Sequence, residues 1–295
     1  MDKIEKEAEI NIGNVNGHIV GRVLKETVRR AQVVIRNERM IFEATTKESY
    51  SGNMDDVFTS ADKKAQDIYL RTFSECFPSC GVIAEEDYLA INPSGDCTAY
   101  FTVDPLDGTK AYVRKQSHGV ATMVALVDNG DVLSAYIGDV NTNEVYGYRP
   151  GSDKVFRITN LDTFEDLGGA NKFDSLSKTH CLLRKPLERH SPTTQNLVKE
   201  FKDYEIMGSS IGTWFARLWK KEVGALFLEP DWETPWDSTP VIGISKMLGY
   251  VFLRPEGDDS RGFVWTEYQP RIIKEKERRE HDSLIIHREN LHLLK

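Results

Sequence analysis

Residues 101–113 read FTVDPLDGTKAYV. A short apolar run stops at Asp104 and Asp107, three positions apart, and Gly108 and Thr109 follow. No other stretch constrains the fold as strongly. A buried strand cannot end in two uncompensated carboxylates, because each costs several kcal/mol to bury. A helix cap would need one aspartate, not two. Pro105 stiffens the turn, and the Leu106 carbonyl is a further hard oxygen within it.

Other carboxylates sit at comparable points. Glu85 ends the apolar run 81–84, and Asp237 follows ETPW at the start of a helix expected over about 238–248. These are oxygen donors without histidine or cysteine, a set suited to Mg²⁺ or Mn²⁺ and not to zinc. Two divalent cations would balance four carboxylates. If a helix starts at Gly108, its free N–H groups offer an anion pocket beside the cations. Thr109 could orient a water by its hydroxyl. Cations, a phosphate pocket and a positioned water are the equipment of metal-assisted phosphoester hydrolysis. Structural readings compete. Asp237 could be an N-cap, with Pro240 in the first turn, and Asp62 could close a capping box in TSAD, residues 59–62. Glu85-Glu86 could be an exposed acidic pair. The spacing D-x-x-D-G-T excludes the D-x-D-x-[TV] of haloacid-dehalogenase-type phosphatases, so the chemistry should use a water and not a phosphoaspartate.

Apolar spacing predicts helices over 17–35, with Val20, Leu24, Val28 and Ala31 on one face, and over 60–77, with Ala65, Tyr69 and Phe73. A polar loop with Lys47, Gly52 and Asn53 joins them. Strands are expected at 81–84, 100–103, 120–127, 132–137 and 145–148, the third and fourth joined by an Asn129-Gly130 type I′ turn. RPGS at 149–152 divides the chain into an N-terminal subdomain, 1–150, holding most of the metal ligands, and a C-terminal one, 151–295, supplying Asp237 and a substrate wall. Residues 158–205 show weak periodicity. A helix is expected near 211–221, with strands at 224–228 and 250–253. KEKERRE, 274–280, mixes signs and reads as a solvated surface segment. The pattern predicts an α/β (α+β) fold of layered helices and sheets with mixed strand directions.

The 295 residues carry a net charge of −8, with no basic stripe for a nucleic-acid polymer. No stretch approaches the ~18 apolar residues of a membrane span, and MDKIEKEAEI is no signal peptide, so cytoplasmic residence is expected. Cys76, Cys80, Cys97 and Cys181 read as free thiols of a reducing compartment. The sequence leaves the oligomeric state open, a homodimer included.

Taken in order, the acidic pair at 85–86, DPLDGT at 104–109, Trp236-Asp237, the upstream DVFTSAD at 56–62 and Gly208-Ser209-Ser210 resemble the inositol monophosphatase superfamily of Mg²⁺-dependent, often lithium-sensitive phosphatases. The resemblance covers about residues 20–255. It implies an αβαβα sandwich and two or three Mg²⁺ ions, with Mn²⁺ as a substitute. The ions would lie on Glu85, Asp104, the Leu106 carbonyl, Asp107 and Asp237. Asp62 and Thr109 would activate a water near Glu85, and Gly108, Thr109, Lys110 and Ser209 would meet the phosphate of a small soluble ester. The chain departs from the family after Trp-Asp, where Ser238-Thr239-Pro240 replaces small residues and glycine, and at Gly249-Tyr250, which replaces a double glycine. DGTK with a following aromatic is more like the 3′(2′),5′-bisphosphate nucleotidases than the inositol monophosphatases, and also like some histidinol-phosphate phosphatases. Lys110 and Arg114, four apart, could share a helix face and meet a second phosphate. The expectation is therefore a 3′-phosphoadenosine 5′-phosphate phosphatase, with inositol monophosphatase and histidinol-phosphate phosphatase as alternatives. The alternative of another class is a catalytically silent metal-binding or regulatory protein.

Overall fold

The structure, a computed structural model, describes residues 16–47, 56–258 and 262–294. The N-terminal decapeptide and the loop residues Gly52 and Asn53 lie outside these. The chain runs α1 (Gly17–Glu38), β1 (Ala44–Lys47), β2 (Asp56–Thr59), α2 (Ser60–Cys76), β3 (Gly81–Ala84), β4 (Leu89–Ile91), β5 (Tyr100–Asp107), α3 (Thr109–Val113), β6 (Ala121–Asp128), β7 (Asp131–Asp139) and β8 (Glu144–Tyr148). It continues with β9 (Phe156–Ile158), β10 (Phe164–Asp166), β11 (His180–Leu183), α4 (Pro192–Val198), β12 (Asp203–Ile206), α5 (Ile211–Trp219), β13 (Ala225–Leu228) and β14 (Asp231–Glu233). Last come α6 (Pro235–Met247), β15 (Tyr250–Asp258), β16 (Gly262–Tyr268), β17 (Glu277–Arg279) and β18 (Ser283–His287).

Eight strands form the first sheet in the order β10-β9-β8-β7-β6-β5-β3-β4. Only β3 and β5 pair in parallel there. Six form the second, in the order β12-β11-β13-β18-β15-β16, with β11 parallel to both neighbours. Alternation along the strands builds the layers, since successive side chains point to opposite faces. On β6, Val124 and Leu126 join the α1/α2 core with Val20, Leu24, Val28, Ala65 and Phe73. Met123 and Ala125 face the other way, into a core with Trp214, Phe215 and Leu218 of α5, Val241 and Ile242 of α6, and Leu182, Leu226 and Phe252 of the second sheet. The far face of that sheet, with Leu183, Phe227, Val251 and Ile286, packs on Leu197 and Val198 of α4. The result is a layered αβαβα fold with mixed and antiparallel sheets. Because β6 is covered on both faces, it reads as a continuous apolar run.

Four expectations need correction. The polar loop after α1 contains strands, since β1 pairs antiparallel with β2. The turn at 149–152 does not end the first sheet, because β9 pairs with β8 and β10 with β9. Helix α6 starts at Pro235, three residues before the expected start: Thr234 is its N-cap and proline fits the first position, which needs no N–H partner. Pro240 is therefore well inside the helix, not in its first turn. KEKERRE is not wholly a solvated segment: β17 pairs with β14, and Arg279 is buried in an ion pair with Glu233. The hairpin turn is as expected, with positive φ at both Asn129 (49°) and Gly130 (86°).

Candidate active site

Strand β5 does not stop at Asp104. It runs through Asp107, and its register against β6 shifts, Asp104 facing Met123 and Asp107 facing Ala121. One extra residue makes a bulge that holds Pro105, which has no N–H to give a ladder. The bulge folds the strand end on itself: Leu106 N donates to Asp104 Oδ1 at 3.0 Å. Tyr69 and Thr122 support it from below, their hydroxyls 2.8 Å apart, with Thr122 Oγ1 3.3 Å from the Asp104 carbonyl.

Gly108 then turns into α3 with φ 92°. A Cβ there would lie 2.2 Å from the Gly119 carbonyl, so only glycine fits both the angle and the space. Gly119 O also accepts from Ser210 N (3.2 Å) and Ser209 Oγ (3.0 Å). This ties the N-terminal end of α5 to the DGT turn. Asp107 completes the junction by receiving Ser210 Oγ at 2.6 Å, Ile211 N at 3.0 Å and Gly212 N at 2.8 Å. A carboxylate on one sheet thus caps a helix of the next layer.

Asp62 and Asp237 hold parallel positions on two helices. Asp62 is buried at the third residue of α2 and closes a capping box, receiving Thr59 N at 2.8 Å and Thr59 Oγ1 at 2.6 Å on Oδ2. Its other oxygen, Oδ1, lies 3.3 Å from Thr109 Oγ1. The capping reading and the partnership with Thr109 are thus both satisfied, one by each oxygen. Asp237, third in α6, receives Thr234 Oγ1 at 2.8 Å on Oδ2 and is no N-cap. Glu85 opens a 3₁₀ turn after β3, and Gln66 of α2 clamps the next residue through both backbone groups, at 3.0 and 3.1 Å.

Asp104, Asp107 and Asp237 bring carboxylate oxygens within 4.8 Å of one another. Burial, reinforced by Glu85, Asp107 and Asp237, drives the Asp104 carboxyl well above the ordinary range. Burial and Asp237 push Asp107 up to about 6, although Arg184, Ser210 and Gly212 pull the other way. Such crowding of like charges is costly without a cation. The donors are all hard oxygens, with the Leu106 carbonyl beside them, so the set fits Mg²⁺ or Mn²⁺.

One cavity of about 550 Å³ collects Glu85, Asp104, Leu106, Asp107, Gly108, Thr109, Lys110, Ser209 and Asp237. Asp62 does not line it, but its hydrogen-bond partner Thr109 does. Ser209, with φ 91°, lines it while its hydroxyl is turned to Gly119. Arg114 lines it too, so Lys110 and Arg114 do border the same space. Several residues escaped the sequence reading: His118, Arg184, Lys185 and Glu205 on the walls, Ser210 as the holder of Asp107, and Gln66 as the holder of the Glu85 turn. Only Ser210 lay in a stretch already singled out. Arg184-Lys185 had one signal, the apolar run CLL before them.

Fold and site together define a class: layered α/β proteins with an acidic, cation-fitted centre beside a basic wall. The chain belongs to the inositol monophosphatase family, which it matches over residues 18–293. A curated relative, the Nus factor SuhB of Xylella fastidiosa, is 29% identical over 116 residues, 39% of this chain and 40% of that protein. The chain thus matches less than half the length of that relative. Among solved structures, the extragenic suppressor protein SuhB of Bartonella henselae matches with TM-score 0.70 and 18% identity, over 94% of this chain and 96% of that one. An inositol monophosphatase of Thermotoga maritima matches at 0.67 and 16%, over 94% and 96%. An IMPase/NADP phosphatase complexed with Mg²⁺ and phosphate matches at 0.66 and 18%, over 94% and 95%.

Proposed function

We propose that this protein removes a phosphate from a small soluble ester that carries a second anionic group, with a nucleoside 3′,5′-bisphosphate, losing its 3′-phosphate, as the preferred substrate. The observation that carries the reading is the group of four cationic side chains on the cavity wall, beside the carboxylates that would hold the metal. Lys110, Arg114, Arg184 and Lys185 all line the cavity, donors enough for a second anionic group as well as the reacting phosphate. The solved IMPase/NADP phosphatase complexes with phosphate or NADP show that this fold elsewhere accepts phosphate and a phosphorylated nucleotide.

Glu85, Asp104, Asp107, Asp237 and the Leu106 carbonyl would hold Mg²⁺. When bound, Mg²⁺ compensates the phosphate charge and acidifies a water. The remaining work falls to the chain. Asp62 is locked by its two bonds from Thr59, which leaves Oδ1 to accept the Thr109 hydroxyl proton. Thr109 Oγ1 then has lone pairs for a water and orients it for in-line attack. As the water loses its proton to Thr109 Oγ1, the Thr109 proton passes to Asp62 Oδ1. Gly108 and Thr109 meet the reacting phosphate, Lys110 stands on the side of the second anionic group, where the two spaces join, and Ser209 closes the wall.

The test is phosphate release from adenosine 3′,5′-bisphosphate, inositol 1-phosphate and histidinol phosphate, with Mg²⁺, for wild type and Lys110→Ala. The reading expects the bisphosphate to have the highest kcat/KM and to lose most on substitution. A preference for inositol phosphate untouched by Lys110→Ala overturns the substrate and leaves the phosphatase standing.

A further inference from the structure

The cavity of the carboxylates does not end at its own wall. A second space of about 370 Å³ shares Lys110, Arg184, Lys185 and Asp237 with it. Trp232, Phe252 and Tyr268 line this second space, and the β14–β17 ribbon edges it through Arg279, which is tied to Glu233 and, at 2.5 Å, to the Glu229 carbonyl. The two spaces therefore meet at a seam of cations.

Arg184 and Lys185 reach that seam from the second sheet. They follow β11, which lies between two parallel neighbours, and Arg184 N is fixed to the Phe227 carbonyl at 3.2 Å. The carboxyl ends of parallel strands are where open α/β sheets bind ligands. Arg184 Nη1 is buried without a hydrogen-bond partner. Among the described residues Arg184 forms no ion pair within 4.0 Å, while the rim acid Glu205 is taken by Arg217 at 2.9 Å. An unpaired buried guanidinium nitrogen is costly, and a phosphate oxygen is its best geometric match.

We propose that Arg184 and Lys185 form a second anion subsite at this seam, which binds the non-reacting phosphate of a bisphosphorylated substrate while the rest of the leaving group extends towards Trp232, Phe252 and Tyr268. This rests on the bisphosphate reading above and assigns residues to it.

The experiment compares kcat/KM for two pairs, each differing by one phosphate: adenosine 3′,5′-bisphosphate against adenosine 3′-monophosphate, and inositol 1,4-bisphosphate against inositol 1-phosphate. Wild type, Arg184→Ala, Arg184→Lys and Lys185→Ala are measured with Mg²⁺, and binding of adenosine 5′-monophosphate is followed by calorimetry. The bisphosphate-to-monophosphate ratio is the readout, because Arg184 also acts on Asp107. Arg184→Ala should lower that ratio by about 10- to 100-fold, the worth of a charge-assisted phosphate contact, with partial recovery in Arg184→Lys and a smaller loss in Lys185→Ala. Affinity for adenosine 5′-monophosphate should fall in parallel. If Arg184→Ala does not fold, Arg184→Lys alone still moves the ratio. Equal losses on both members of a pair, or no bisphosphate preference in wild type for either pair, overturn the subsite. An Arg184-dependent preference confined to the inositol pair supports the subsite and overturns the nucleoside reading.

Discussion

Two buried aspartates of this molecule, Asp104 and Asp282, are each 2% exposed, yet their surroundings are opposite. Asp282, just before β18, receives Ser191 N at 2.8 Å and Thr194 Oγ1 at 2.7 Å on Oδ2, and His190 Nδ1 lies 3.0 Å from Oδ1. Burial would raise its carboxyl, but the bonds from His190, Ser191 and Thr194 outweigh it and hold it below the usual range. Asp104 is given one backbone N–H and faces three other carboxylates, which raise it. A buried carboxylate with a full set of donors is architecture. One surrounded by its own kind is suited to a cation, and this contrast separates a candidate site from architecture more sharply than burial does.

The largest expected effect tests that contrast directly. Asp104→Asn should lower kcat by several orders of magnitude in saturating Mg²⁺, and Mg²⁺ should no longer raise the Tm. It should not destabilise the metal-free protein, because it removes a repelled charge. Activity within about tenfold of wild type, or full wild-type activity in excess chelator, would break the comparison.

Asp282→Asn should show the reverse. Its amide presents an N–H₂ to groups that are themselves donors, so a loss of about 1–3 kcal/mol in unfolding free energy is expected, with kcat little changed. Denaturant melts beside steady-state kinetics decide it, and a stable but inactive variant would contradict the assignment.

Acid and base should act on the two regions with opposite signs. Asp107 has a folded pKa of about 6, above its unfolded value of about 3.9. In metal-free protein its contribution is present below the unfolded pKa and is lost as pH rises through the folded one. Asp282, with a depressed folded pKa, contributes above the unfolded value and loses that contribution as pH falls through the folded one. Tm profiles of metal-free wild type, Asp107→Asn and Asp282→Asn over about pH 3–7 should show Asp107→Asn flattening the high side and Asp282→Asn the low side. Identical profiles for all three would remove the distinction.

The smallest effect concerns a competing cation. Li⁺ is near Mg²⁺ in size with half the charge, so it should inhibit by occupying part of the acidic site without supporting turnover. LiCl titrated against KCl, with equal responses to both, would exclude it.

Legibility followed the same division. Asp62, Glu85, Asp104, Asp107, Thr109 and Asp237 were readable because each stands at a strand or helix end in a short local pattern, and α1, α2 and the hairpin of β6 and β7 because their periods repeat. The strands β11, β12 and β16 were not. The first two have four residues each, β12 is exposed throughout, and a run such as CLL is too short for any period to separate strand from helix. Arg184 and Lys185 follow from one of these, so the second wall was lost with its strand.

The sequence by itself determined the chemistry of the carboxylates, since hard oxygens in the order of DPLDGT and Trp-Asp leave few alternatives to a divalent cation. Only the tertiary structure decided what each carboxylate meets. Asp107 caps α5 and Asp62 shares itself between Thr59 and Thr109. Arg184 comes from a different sheet to act on Asp107, 77 residues away in the chain. Residue type and spacing fix which atoms can bind. Their partners come from layers that meet only when both faces of β6 are buried, and no local pattern encodes that meeting.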